Sequence, residues 1–64
     1  MQFEKLNREN LPDTEKTLLI RIDFADRFIH STAFIKHNEL VIDNSIIQMA
    51  LNANKNYEVE YVEL

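Results

Sequence analysis

The sequence predicts an α+β fold: a small, mainly antiparallel β-sheet of three to four strands carrying one short helix, in the order β-β-β-α-β. Three observations predict it. Residues 17–24 alternate with period two, Leu18, Ile20, Ile22 and Phe24 against Thr17, Leu19, Arg21 and Asp23, as in a strand with one buried face. Ile46, Ile47, Ala50 and Leu51 recur at helical spacing. Tyr57, Val59 and Tyr61 alternate again with Glu58 and Glu60 near the C-terminal end.

The elements follow in order. Phe3, Lys5 and Leu6 form a short first strand or an extended arm. Asn7 to Lys16 reads as a loop, because Pro12 fixes its own φ and drives Leu11 out of the helical region; Leu11 then anchors the loop on the core. After the Thr17–Phe24 strand, Ala25-Asp26-Arg27 makes a tight connection. A second long strand, Phe28 to Lys36, is rich in β-favouring Phe, Ile and Thr. Its Ile29, Ser31, Ala33 and Ile35 face suits the core, which leaves Phe28 and Phe34 partly exposed. His37-Asn38 turns the chain into a short strand from Glu39 to Ile42. Asp43 or Asn44 caps the helix, and Asn52, Asn54 and Asn56 stop it, Asn supplying the left-handed residue that Gly usually gives. Tyr57 to Leu64 closes the sheet.

Sixty-four residues make a single domain, 1–64, and a chain this short buries only roughly 60% of its unfolded surface. Cysteine is absent, which removes disulfides and thiolate metal sites and suits a reducing compartment. Oligomerisation or a permanent partner is the reinforcement that remains. Met1 to Lys5 lacks the basic and apolar regions of a secretory signal, and no apolar run approaches the ~20 residues that span a bilayer. A cytoplasmic location with no membrane contact is expected.

Glycine is also absent, so dinucleotide fingerprints, P-loops and nucleophile elbows are excluded. His30 and His37 with Asp23 and Asp26 contain imidazole and carboxylate ligands, but no pair stands at a spacing that fixes a metal site. His30 and Ser31 are strand neighbours and point to opposite faces, which denies them the contact of a base and its nucleophile. Glu58 and Glu60 lie about 7 Å apart on one strand face, without the apolar pocket that raises one carboxyl of a catalytic pair. The chain is therefore expected not to be an enzyme and to need no cofactor.

Binding remains. Residues 1–37 hold six Lys or Arg and six Asp or Glu, whereas residues 38–64 hold Lys55 alone against Glu39, Asp43, Glu58, Glu60 and Glu63. The whole net charge of −4 thus lies in the C-terminal part. These five carboxylates are the candidate contact with a partner protein that presents a basic surface; they equally serve solubility and edge protection. Arg21, Arg27, Phe28 and Lys36 form the alternative, a basic and aromatic neighbourhood for single-stranded nucleic acid, against which the net charge speaks. A third reading is a homo-oligomeric accessory protein, pairing as a homodimer through the terminal strand at a sheet edge.

Phe3, Leu11-Pro12, the strand from Leu18 to Ile22 and Tyr61-Val62-Glu63-Leu64 stand in an order that resembles a family of short phage and prophage proteins of unknown function. That family opens with an aromatic residue, reaches a Leu-Pro before its first long strand and ends near Trp-x-x-Leu. Here Tyr61 stands in place of the final Trp, and the glycine of the middle strands is missing. The resemblance implies a phage or mobile-element origin and supplies no catalytic residue. It points to a stoichiometric inhibitor or modulator of a host protein, a defence nuclease among the possible targets.

Overall fold

The computed structural model describes residues 2–64. The elements are β1 (Glu4–Lys5), β2 (Leu18–Asp23), β3 (Phe28–Lys36), β4 (Glu39–Ile42), α1 (Ser45–Ala53) and β5 (Glu58–Glu63). The strands form one antiparallel sheet in the order β1-β5-β2-β3-β4. The α+β class and the single helix agree with the sequence reading. Among the described residues the strands number five, because Glu4 and Lys5 pair with Tyr61 and Glu60.

β2 is central. Leu18, Ile20 and Ile22 are completely buried, and with Leu6, Ala33, Ile42, Ile47, Leu51 and Val59 they form the core. Register carries this face outward: Leu18, Ile20 and Ile22 stand opposite Ala33, Ser31 and Ile29 on one side and Glu63, Tyr61 and Val59 on the other. Leu11, Phe24 and Tyr57 pack around the core, the Phe24 and Tyr57 rings meeting edge to face at 4.5 Å.

β5 is not the edge strand. It pairs with β2 along its length, but with β1 only at Glu60 and Tyr61, extended by the bond from the Leu6 N–H to the Val59 carbonyl, so the outer side of Val62 to Leu64 is uncovered by the described residues. The terminal strand is thus an inner strand over most of its length, and a dimer through it would have only Val62 to Leu64 on which to pair. Placing β5 beside β2 buries Val59 against Ile22, which an edge position would leave half-solvated.

Turn chemistry shows how a chain without glycine reverses direction. His37 and Asn38 both take positive φ, 52° and 60°, and so make the two-residue mirror-image turn that matches strand twist. In the β2–β3 turn, the Asp26 N–H donates to the Phe24 carbonyl at 2.8 Å, which closes a three-residue turn on Ala25 at φ 73°. The Asp23 carboxylate braces it by accepting the Ala25 N–H at 2.8 Å.

The helix is capped by Asn44, whose side chain accepts from the N–H groups of Ile46 and Ile47. At the other end Asn54 is extended, φ −138°, not left-handed as expected; its side chain accepts the Asn56 N–H instead. The last carbonyls are met from far along the chain, Arg8 donating to Leu51 at 3.0 Å and Asn54 at 3.4 Å. A cation at this end also opposes the helix dipole. Of the expected apolar stripe, Ile47 and Leu51 are buried and Ala50 half-buried, but Ile46 is 77% exposed. It sits about 100° around the helix from Ile47, and one short helix on a small sheet offers a seat only one stripe wide.

Candidate functional site

With the helix and the N-terminal loop on one face, the opposite face of the sheet is left uncovered. Alternation puts Leu19, Arg21 and Asp23 of β2 on it, and register adds the neighbours: Val62, Glu60 and Glu58 from β5, and Thr32, His30 and Phe28 from β3. Phe34, Lys36, Glu39 and Val41 extend the same surface across the β3–β4 hairpin.

Arg21 is its centre. Its Nε and Nη2 both donate to Glu60 Oε1, at 3.0 and 2.7 Å. Its guanidinium carbon lies 4.5 Å from the ring centroid of Phe3 and 5.4 Å from that of Phe28. Phe3 also stands edge-on to His30 at 6.2 Å. Two aromatic faces and a carboxylate thus fix a cation that is about one-third exposed. Phe28 itself is 60% exposed and Phe34 40%, which places large apolar surface next to fixed charge.

The five predicted carboxylates do not form one patch. Glu58 and Glu60 lie on β5 and Glu39 on β4, three strand spacings or roughly 14 Å across the sheet, and Glu39 stands opposite Lys36, six to eight residues or roughly 20–26 Å further along it. Asp43 follows β4 and accepts the Thr32 hydroxyl at 3.1 Å. Glu63 has the opposite parity: it stands opposite Leu18 on the helix side and accepts the Thr14 hydroxyl at 3.0 Å. The open face therefore carries Glu39, Glu58 and Glu60, with Asp43 at its margin, as separated charges. Asp23 joins them. It lies directly opposite Glu58, a like-charge pair that costs stability, and neither is in an ion pair among the described residues.

Of the alternative contact residues, Arg21 and Phe28 are neighbours on this face, Lys36 is at its far end, and Arg27 lies in the β2–β3 turn beside Asp26 at 3.4 Å. Phe3, Asp23 and His30 are the members that sequence reasoning missed. Phe3 alternates with Lys5, but only the β1–β5 pairing brings it within reach of Arg21. His37 is in the far hairpin, away from His30, and no group of three or more metal-ligating side chains gathers among the described residues.

On the helix side, Tyr61 donates to Glu4 at 3.3 Å. Partial burial, then the Glu4 carboxylate and Glu63, raise its hydroxyl pKa above the ordinary value. An open depression beside the helix is lined by Arg8, Leu11, Leu40, Gln48 and Tyr57 over buried Leu6 and Leu51; its floor is core already packed, so it is surface relief. No helix among the described residues is long and apolar enough to cross a membrane.

No family model, no curated protein and no solved structure matches this chain.

Proposed function

We propose that this chain is a non-enzymatic binding module that docks on a basic partner protein through the open face of its sheet. One observation carries the reading: the face sets exposed Phe28 and Phe34 among Asp23, Glu39, Glu58 and Glu60, with Arg21 already held by Glu60. Aromatic anchors supply affinity at protein interfaces, and surrounding charge selects the partner and speeds encounter. The resemblance to short phage proteins makes inhibition of a host defence nuclease, by occupation of its basic nucleic-acid surface, the specific form of the proposal.

The test is capture of a partner from host lysate, read by mass spectrometry, with three tagged forms: the natural chain, a Phe28→Ala/Glu39→Lys/Glu58→Lys variant, and a Met49→Glu variant on the far side of the helix. A stoichiometric partner lost with the face variant and kept with Met49→Glu supports the proposal. Equal capture by all three sinks it.

The second reading rests on Phe28 beside Arg21, the pairing that single-stranded bases use. Arg21 is engaged by Glu60, and the face carries more carboxylates than cations, both of which oppose phosphate. A gel shift with short oligonucleotides at low salt separates the two readings.

A further inference from the structure

The sheet treats its edges unequally. β1 is two residues long. On β4 the ladder alternation turns Leu40 and Ile42 outward, and the Ile42 N–H is occupied by Gln48 Oε1 at 2.7 Å. Such a plug is a known guard against strand addition. β3 has no guard. It runs from Phe28 to Lys36, but β4 covers it only as far as the bond from the Asp43 N–H to the Thr32 carbonyl at 3.0 Å. Phe28 and His30 point their N–H and C=O groups to that same side, where no strand follows, and they have no backbone partner among the described residues. The helix comes close to β4 and not to β3. Both side chains are exposed.

We infer that this edge pairs with itself, in antiparallel register about a two-fold axis at Ile29, to make a homodimer. Phe28 of one copy then faces His30 of the other, and the reverse, so that the outward N–H and C=O groups of these two residues are satisfied in each chain. The fit is particular to a second copy. The free segment is Phe28 to Ser31, bounded by the β2–β3 turn at one end and by Asp43 at the other. A second β3 begins at Phe28 and stops short of that block, whereas a longer foreign strand runs into it. The same register brings Asp26 of each copy, held by its own Arg27 at 3.4 Å, to the Asp43 end of the other's β4, a like-charge contact that weakens the pairing. On the open face Phe28 lands beside the imidazole of the second copy, which covers its exposed ring. So short an edge lies well below the ~1,200 Å² of a standard interface, and the dimer is weak and concentration-dependent.

Sedimentation velocity and amide hydrogen exchange by NMR, on the intact chain from about 20 µM to about 1 mM, test it without any partner. The expected result is a monomer–dimer equilibrium in which the Phe28 and His30 amides slow by at least about tenfold with concentration, while that of Leu40 does not change. His30→Pro removes an edge donor without touching the β2–β3 ladder, and Phe28→Lys keeps the donors but sets charge against the second copy. Both are expected to be monomers that retain protection at Ile29 and Ser31. A monomer throughout the range overturns the inference. So does a dimer that leaves the Phe28 and His30 amides fast, or one that persists in both variants. Phe28 belongs to both proposals, and two other variants separate them: Glu39→Lys disturbs the open-face reading and leaves this equilibrium unchanged, whereas His30→Pro abolishes the dimer and leaves Phe28 exposed to a partner.

Discussion

Ala25 is the residue that most directly measures what the absence of glycine costs this fold. At φ 73° its Cβ crowds the backbone, a conformation that costs an L-residue about 1–2 kcal/mol. Ala25→Gly removes that crowding and leaves the Asp26-to-Phe24 and Ala25-to-Asp23 bonds in place, since both use backbone donors. Against the gain stands the greater freedom of glycine in the unfolded chain, about 0.4–1 kcal/mol. The net is a stabilisation of roughly 0.5–1 kcal/mol, or about 3–6 °C in Tm for a domain of this size. Urea unfolding followed by circular dichroism measures it, with an unchanged m-value showing that the compactness of neither state has moved. Ala50→Gly in the helix, where φ is negative, is the matched control and is expected to lose about 1 kcal/mol. If Ala25→Gly lowers the midpoint as the control does, the turn is not strained and the reasoning fails.

Three further predictions follow from named contacts. Arg8→Met keeps the aliphatic stem but loses both bonds to the helix C-terminus, costing about 1–2 kcal/mol, while Lys55→Met stays within about 0.5 kcal/mol; urea midpoints compare them. Asn44→Ala removes the N-cap acceptor of two N–H groups and is expected to lose about 1 kcal/mol, whereas Asn44→Asp or Asn44→Ser keeps most of it. Tyr61 keeps its proton more tightly folded than unfolded, so its contribution is complete below the unfolded pKa of about 10 and is lost as pH rises through the higher folded value. Urea midpoints between pH 8 and 11 should fall more steeply for the natural chain than for Tyr61→Phe; parallel curves would show that Tyr61 carries no such linkage.

Much of the fold was legible in the residues. The alternation of Leu18, Ile20 and Ile22 located the central strand, and the small side of β3, with Ala33, was assigned to the core with Phe28 and Phe34 outside it. A cap at Asp43 or Asn44 and Leu11 as anchor followed from local stereochemistry, and the structure places the cap at Asn44. The misses share a cause. Glu4–Lys5 is too short to show a period and exists as a strand because β5 offers it a ladder. Ile46 belongs to the apolar stripe by spacing, and only the width of the helix seat excludes it. The acidic residues were grouped by position along the chain, whereas Glu63 and Glu60, three apart, face opposite sides, and Glu39 and Glu58 share a face across two intervening strands.

By itself the sequence determined what is local: which segments alternate, which turn, which residue caps, and which chemistries lack their parts. Those depend on side-chain period and backbone preference within a few residues. The tertiary structure alone decided which strand lies beside which, and with it everything that makes the open face. Phe3, Arg21, Phe28, His30 and Glu60 come from four strands or their flanks, and nothing in their spacing along the chain encodes that they meet. The free edge of β3 is likewise a difference in length between two paired strands. Strand pairing is settled by burial of the whole apolar set at once, a property of the folded sheet.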